Sequence, residues 1–215
     1  MTRRAPPKRL GRPRDGDSAE TRERLLLVAR KAFARKGYDS TTNKEIADGA
    51  GLTTGAIYHY YASKAELYHA VFEEVQDLVY SSFGQAVEGK VGLIPRFSAV
   101  LDSAVELNRH DASIAAFVVG VAAEAQRHPE LAELLQPTRK QHAAFLNGLV
   151  NDAWNRGELA NDVSLHAVED LLNAMLSGLA RFSDQTGDSR RHEAAVDALK
   201  RFFAGTLVHA PSNDP

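Results

Sequence analysis

Side chains that could recognise a polyanion without covalent chemistry are concentrated in residues 42–64. Hydroxyls, an imidazole and an ammonium group occur there, and such groups bind phosphate oxygens or pair with the edges of nucleic-acid bases. Two small residues stand among them and would let the backbone approach another molecule closely. This pattern favours nucleic-acid binding. The candidate contact residues are Thr42, Thr53, Thr54, Gly55, Ala56, Tyr58, His59, Tyr60 and Lys64.

The remaining reactive side chains do not have the spacing of a catalytic or metal centre. The eight histidines are scattered, none forms an H-x-x-x-H or H-E-x-x-H pair, and there is no glycine-rich phosphate loop. The absence of cysteine excludes thiol nucleophiles, disulfides and cysteine metal sites. We therefore predict no enzyme, no metal site and no cofactor. Two alternatives stay open: a helical enzyme, and a partner-binding scaffold that has kept a nucleic-acid motif.

The charge distribution also points to a polyanion at the first third of the chain. Residues 1–68 hold 14 Lys and Arg against 8 Asp and Glu, a net charge of +6, whereas residues 69–215 hold 12 against 20, a net charge of −8. A solubilising tail would explain the basic end equally well. Within it, Gly11-Arg12-Pro13-Arg14 resembles the core of segments that enter A·T-rich minor grooves. Arg12 and Arg14 are thus candidate DNA contacts, with nonspecific electrostatic attraction as the alternative.

The segment that starts at Thr42 is predicted to form a helix-turn-helix. Apolar periodicity predicts helices over 18–36, 43–49, 54–60 and 63–83. The runs from Thr42 to Glu45 and from Ser63 to Glu66 have the form of capping boxes, in which each Glu reaches back to a backbone N–H. Gly51 supplies the turn between the two short helices, since positive φ is cheap only for glycine.

The inner positions of this motif are apolar or small. Ala47 falls where the two short helices cross, Ile57 faces Ile46, and Leu52 closes the turn. Because these side chains pack inward, the candidate contact residues face outward. For Tyr60 and Tyr61 a core position is the alternative, and we favour it for Tyr61.

The rest of the chain has helical periodicity throughout, so the predicted fold class is all-α. Further helices are expected over 93–109, 112–127, 129–156, 164–184 and 189–208. We divide the chain into a flexible basic arm (1–17), a helix-turn-helix domain (18–65) and a larger helical domain (66–210). No apolar stretch approaches the roughly 20 residues that span a bilayer, and the basic N-terminus lacks the apolar core of a secretory signal. We expect a cytoplasmic protein without a membrane partner.

Residues 42–67 resemble the DNA-binding segment of the TetR family of transcriptional regulators. The resemblance is strong over about 20–72 and covers the remainder only as a helical pattern. Two departures are Gly49, where the family has a bulkier helix former, and Tyr61, where it has Phe. Glycine at position 49 should loosen the end of its helix by up to ~1 kcal/mol.

The resemblance implies specific roles for the two parts of the chain. Tyr58 and Lys64 would mainly grip phosphate, and the C-terminal helices would bind an effector and form a homodimer. The protein would then be a repressor released from a palindromic, double-stranded DNA operator by a small molecule.

The C-terminal sequence is compatible with those roles. Helices 164–184 and 189–208 have wide apolar faces for an intersubunit bundle, and Ala174, Gly178 and Gly205 would allow close approach. Apolar residues in the C-terminal part could line a pocket for a mostly hydrophobic ligand, with ordinary core packing as the alternative. The candidate ligand-binding residues are Phe97, Leu101, Phe117, Val121, Phe145, Trp154, Leu172 and Met175.

Overall fold

The computed structural model describes residues 15–208, and within that range the chain forms nine helices and no strand. The predicted all-α fold is confirmed. Arg12 and Arg14 lie outside the described residues. The helices are α1 (Asp15–Ser40), α2 (Asn43–Ala50), α3 (Thr54–Tyr60), α4 (Lys64–Val87), α5 (Leu93–His110), α6 (Ser113–Arg127), α7 (Pro129–Asn155), α8 (Leu165–Thr186) and α9 (Ser189–Phe203).

The helix ends agree with the predicted ones to within a few residues, apart from three differences. α1 starts at Asp15 and continues past a non-helical Gly37 (φ 77°, ψ 177°) to Ser40. α4 runs through Gly84 to Val87, because a single glycine costs a helix only about 1 kcal/mol. α9 ends at Phe203, where Gly205 adopts a positive φ of 68°. No helix within residues 15–208 is long and apolar enough to cross a membrane.

The turn between α2 and α3 has the predicted geometry. Gly51 is left-handed (φ 68°, ψ 33°), and its N–H donates to the carbonyls of Ala47 and Asp48, which ends α2. Ile46, Ala47 and Ile57 are completely buried where the two helices meet. Tyr61 is buried as well, as expected for a core residue.

The two capping boxes form only in part. The hydroxyls of Thr42 and Ser63 accept the N–H groups of Glu45 and Glu66, each at 3.1 Å, as predicted. The Glu45 carboxylate does not reach back, however: it binds Arg35 and Lys36 of α1 at 2.9 and 2.8 Å. The pKa of the Glu45 carboxyl group is lowered, mainly by the hydrogen bond from Lys36 and further by the positive charges of Lys36 and Arg35. The Glu66 carboxylate accepts the N–H of Ala62, one residue before the cap.

Two apolar cores hold the helices together. The first joins residues of α1–α4 to residues of α6 and α7, including Phe117, Val121 and Leu131. The second joins α4, α5, α7, α8 and α9 around Phe97, Leu101 and Leu172. The helix-turn-helix therefore shares its core with α6 and the start of α7, and α4 contributes to both cores.

Gly49 has a packing role that the sequence pattern does not reveal. A Cβ at this position would lie 2.9 Å from Cγ1 of Val28 on α1, closer than Cβ contacts in proteins normally come. The close approach of α2 to α1 therefore requires glycine, and the expected cost in helix propensity is offset by tighter packing.

We predict that Gly49→Ala destabilises the protein by about 1 kcal/mol, because overpacking outweighs the gain in helix propensity. In a Val28→Ala background the same change should be neutral or stabilising. Urea unfolding of the four proteins of this double-mutant cycle measures the coupling. Equal effects of Gly49→Ala in both backgrounds would contradict a steric role for this glycine.

Candidate nucleic-acid interface and internal cavity

One face of α3 is open to solvent while the opposite face is anchored by Ile57. Tyr58 (54% exposed), His59 and Gly55 lie on the open face, and Thr54 and Ala56 are half-buried beside them. The helix is only seven residues long, so these side chains project from a compact ridge. A ridge of this kind fits a DNA major groove.

Tyr60 is less exposed than expected for a residue that contacts DNA. It is half-buried and packs against the first core, and its hydroxyl lies 3.5 Å from Oγ of Ser18 on α1. Its ring also makes an edge contact with His59 at 5.7 Å between centroids. Much of the Tyr60 side chain therefore belongs to the core, which was the alternative to a DNA contact.

Thr42 and Thr53 combine two roles that do not conflict. Each hydroxyl accepts a backbone N–H as a helix N-cap, from Glu45 at 3.1 Å and from Ala56 at 3.2 Å. A hydroxyl that accepts in this way keeps its own proton to donate. Both side chains are on exposed residues, so that proton is available to a phosphate oxygen.

Lys64 has an internal role that the sequence pattern did not indicate. Its ammonium donates to the backbone carbonyls of Tyr38 (2.8 Å) and Thr41 (3.1 Å) and lies 4.3 Å from the centre of the Tyr38 ring. The start of α4 is thereby tied to the end of α1. Two of the three N–H donors are occupied, which leaves one for a phosphate. The partners lie 23 and 26 residues away, so spacing along the sequence could not show them.

The end of α1 is also held from the other side, by α6. The buried carboxylate of Glu124 accepts the backbone N–H of Tyr38 at 3.1 Å. A Cβ on Gly37 would lie 2.8 Å from Oε1 of the same carboxylate. Glycine at this position, with its positive φ, thus lets Glu124 reach the backbone of α1.

A second polar link joins the middle of α1 to the α5–α6 connection. The buried Arg30 donates to Asp111 at 2.7 Å and to the Ser113 hydroxyl at 3.2 Å. Burial alone would raise the pKa of Asp111, but hydrogen bonds from Ser113 and Arg30 outweigh it and hold that pKa below its ordinary value. The ionised pair therefore stabilises this junction at neutral pH.

A cavity of about 550 Å³, partly open to solvent, lies between α4, α5, α6, α7, α8 and α9. Ligand sites in proteins typically have volumes of about 300–1,000 Å³. Its apolar lining residues include Val79, Phe83, Leu107, Val118 and Val121. Its polar lining residues are Gln76, Asn108, Arg139, His142, Glu169, Asp170, Asn173, Ser177 and His192.

Two histidines of the cavity have defined environments. His142 stacks on Tyr80 with 4.7 Å between ring centroids, and its Nε2 lies 3.4 Å from Oδ1 of Asp77. Burial lowers the pKa of His192, so this imidazole is neutral at pH 7 and can both donate and accept a hydrogen bond.

The cavity coincides with little of the set predicted for ligand binding. Val121 lines it, but Phe97, Leu101, Phe117 and Leu172 are fully packed within the cores. Phe145 and Met175 are half-buried against the second core, and Trp154 is 38% exposed on the end of α7. Residues that line a cavity and residues that fill a core share the same helical faces, so periodicity cannot separate them.

α8 and α9 present apolar groups that are uncovered in the single chain. Leu171 and Phe202 are 55% and 62% exposed. Ala174 and Gly178 follow Leu171 on the exposed part of α8, and a Cβ on Gly178 would meet nothing within 4 Å. Exposed large apolar side chains beside small residues are typical of a helix-packing interface.

The fold and site define a class of protein in which a helix-turn-helix is attached to a larger helical part that contains a cavity. The family model described as bacterial regulatory proteins of the tetR family matches residues 25–71. The solved structure of Salmonella enterica GusR has 32% sequence identity and a TM-score of 0.69, and the match covers 87% of this chain and 95% of that one.

Curated relatives agree with this match. The HTH-type transcriptional regulator UidR of Escherichia coli (strain K12) is 26% identical over 192 residues, which cover 89% of this chain and 95% of UidR. The HTH-type transcriptional repressor KstR2 of Mycobacterium tuberculosis (strain ATCC 25618 / H37Rv) is 27% identical over 161 residues, 72% of this chain and 79% of KstR2. The chain belongs to the TetR family, and it is a DNA-binding transcriptional regulator.

Proposed function

We propose that the protein is a dimeric cytoplasmic repressor that binds a palindromic operator through α3 and is released by a small molecule in the cavity between α4 and α9. The exposed ridge of α3, held rigidly by the buried Ile57, carries the DNA-binding part of the proposal. Relatives named as repressors, KstR2 and BepR of Brucella suis, favour repression over activation.

The side chains of α3 and of the residues that flank it would contact different parts of the DNA. Thr54 and His59 would contact base edges, and Ala56 could touch a thymine methyl group. Gly55 would let the backbone approach the DNA. The hydroxyls of Thr42, Thr53 and Tyr58 would bind phosphates on either side, with a lesser contribution from Tyr60. The third N–H of Lys64 would bind a phosphate at the start of α4, where free N–H groups of the helix also attract an anion.

A homodimer would bring two such ridges to the same face of the DNA. The exposed Leu171 and Phe202 and the open surface at Gly178 support pairing through α8 and α9. A two-fold pair of recognition helices reads half-sites about 34–36 Å apart. Because both copies use the same residues, the operator would be palindromic.

The cavity supports a ligand that is more polar than the mostly hydrophobic effector expected from the sequence. Its apolar lining residues suit a hydrophobic body, whereas Arg139, Glu169, Asn173 and the neutral His192 suit hydroxyl, amide or carboxylate groups. We therefore propose an amphipathic effector. It would release the DNA by favouring a state in which the two α3 helices have the wrong separation.

Variants on α3 and α4 test the groove assignment. We expect Thr54→Ala and His59→Ala to change the preferred bases by ~1–3 kcal/mol per contact. Tyr58→Phe should weaken binding to all sequences alike. Lys64→Met should reduce the slope of log affinity against log salt by about 1 if its third donor binds phosphate. The measurement is selection from random DNA, followed by salt titration on the selected site.

An exposed residue distant from α3 provides the control for this series. Ala160 lies in the loop between α7 and α8. Ala160→Trp should leave both the preferred DNA sequence and the slope of log affinity against log salt unchanged. If Thr54→Ala, His59→Ala, Tyr58→Phe and Lys64→Met all bound the selected DNA like the wild type, α3 would not be the reading helix.

Filling the cavity tests the ligand site. Ala104 lines the cavity from α5 and is half-buried, so Ala104→Trp should occupy the space a ligand needs. We expect the wild type and Ala160→Trp to bind the amphipathic probe 1-anilinonaphthalene-8-sulfonate with enhanced fluorescence, and Ala104→Trp to bind it at least ~10-fold more weakly. Circular dichroism checks that the helices are retained. Equal probe binding by all three proteins would exclude the cavity as the ligand site.

A further inference from the structure

Three metal-ligating side chains meet where the end of α1 touches the end of α6. They are Asp39, after the break at Gly37, and Glu124 and His128, one helical turn apart. One donor atom from each lies within 4.8 Å of the others. Nε2 of His128 is 3.1 Å from Oδ1 of Asp39 and 3.8 Å from Oε2 of Glu124.

The buried carboxylate among them has an oxygen without a donor. Glu124 is only 5% exposed; its Oε1 accepts the N–H of Tyr38 at 3.1 Å and forms an ion pair with Nη2 of Arg127 at 3.0 Å. Its Oε2 is buried, faces His128, and has no hydrogen-bond partner within residues 15–208. Nε2 of His128 is also buried without a hydrogen bond in the same range. Leaving a buried carboxylate oxygen unpaired is costly, so the arrangement calls for a cation.

The spacing of these donors suits a divalent transition metal. Zn²⁺ binds imidazole nitrogen and carboxylate oxygen at about 2.0–2.2 Å in tetrahedral geometry, which puts neighbouring donors about 3.4 Å apart. The two measured separations, 3.1 and 3.8 Å, lie on either side of that value.

The surroundings of His128 orient its ring for such a role. Oε1 of Glu130 lies 3.5 Å from Nδ1, on the opposite side of the imidazole from Asp39 and Glu124. A carboxylate in that position favours the tautomer with a proton on Nδ1 and leaves the Nε2 lone pair for a metal. The Tyr38 ring packs edge-on against the imidazole at 5.0 Å between centroids. Arg127 opposes a cation, but its side chain is largely exposed and can move into solvent.

We propose that Asp39 Oδ1, Glu124 Oε2 and His128 Nε2 bind a divalent transition-metal ion of the zinc class, with water completing the coordination. An imidazole ligand favours such an ion over Mg²⁺, which prefers oxygen ligands. This differs from the expectation of no metal site, which considered histidine spacing alone. Asp39 comes from a different helix, 85 residues before Glu124 in the chain, so no local motif could show it.

A bound ion would cross-link the helix-turn-helix to α6. Asp39 directly follows Tyr38, whose carbonyl accepts a hydrogen bond from Lys64 and whose N–H donates to Glu124. The ion would add a bond between α1 and α6 beside the Tyr38–Glu124 hydrogen bond and restrict movement of α1 relative to α6. The site does not depend on the proposed ligand cavity or on the identity of the operator.

The test is calorimetric titration of the full-length, chelator-treated protein with ZnCl₂ and separately with MgCl₂. We expect one Zn²⁺ site per chain and no comparable Mg²⁺ binding. Asp39→Asn and His128→Asn should each weaken that site at least ~10-fold, since changes even to the outer shell of metal sites cost 10–100-fold. Asp39 is exposed, so its variant should fold normally, which circular dichroism checks. The melting temperature of the wild type should rise with Zn²⁺ by more than that of Asp39→Asn or His128→Asn.

The matched control is His110→Asn. His110 also faces a carboxylate one turn away, with Nε2 2.9 Å from Oε1 of Glu106, but both side chains are well exposed. This variant should bind Zn²⁺ like the wild type. Equal Zn²⁺ affinity of wild type, Asp39→Asn and His128→Asn would show adventitious histidine binding and overturn the proposal. So would a melting temperature that depends on pH but not on Zn²⁺, which would assign the cluster to a proton.

Discussion

The hydrogen bond from the backbone N–H of Tyr38 to the buried carboxylate of Glu124 is the contact on which the arrangement of the two parts of this regulator depends. α1 is the longest element of the DNA-binding part, and its end is gripped by Glu124 from α6 and by Lys64 from α4. The glycine at 37 makes the first grip possible, because any side chain there would displace the carboxylate. Together with the Arg30–Asp111 pair, this contact transmits the position of α6 to α1, and α1 carries α2 and α3 through their common core.

The residues that would contact DNA are therefore different from those that orient α3. The groups that we propose contact DNA lie on one exposed ridge of α3 and its flanking caps, while the groups that set the direction of that ridge lie behind it, in α1, α4 and α6. α6 also forms a wall of the cavity through Val118 and Val121. A ligand that shifts α6 therefore acts directly on the helix that holds the end of α1, with no longer chain of contacts needed. Such a shift changes DNA affinity only to the extent that the ligand distinguishes the two positions of α6.

The all-α fold, the helix order and the helix-turn-helix could be predicted from the sequence because they depend on local rules. Apolar periodicity, the caps at Thr42, Thr53 and Ser63 and the turn at Gly51 act within a few residues. Three of the unexpected contacts depend on partners far apart in the chain: Gly49 against Val28, Lys64 on the carbonyls of Tyr38 and Thr41, and Asp39 beside His128. The cavity shows the same limit, since Val121 lines it while Phe97 and Leu172, equally apolar and periodic, fill the core.

The most direct test of the account is the distance between the two DNA-binding parts of the proposed dimer when the Glu124 contact is removed. The chain has no cysteine, so Lys44→Cys on the exposed side of α2 provides a single spin-label site per protomer. Double electron–electron resonance on chelator-treated protein should give a narrow distribution for the otherwise wild-type protein and for Glu124→Gln, which keeps an acceptor for Tyr38. Glu124→Ala should broaden the distribution at unchanged helical content. An equally narrow distribution for Glu124→Ala would contradict the claim that this contact positions the helix-turn-helix.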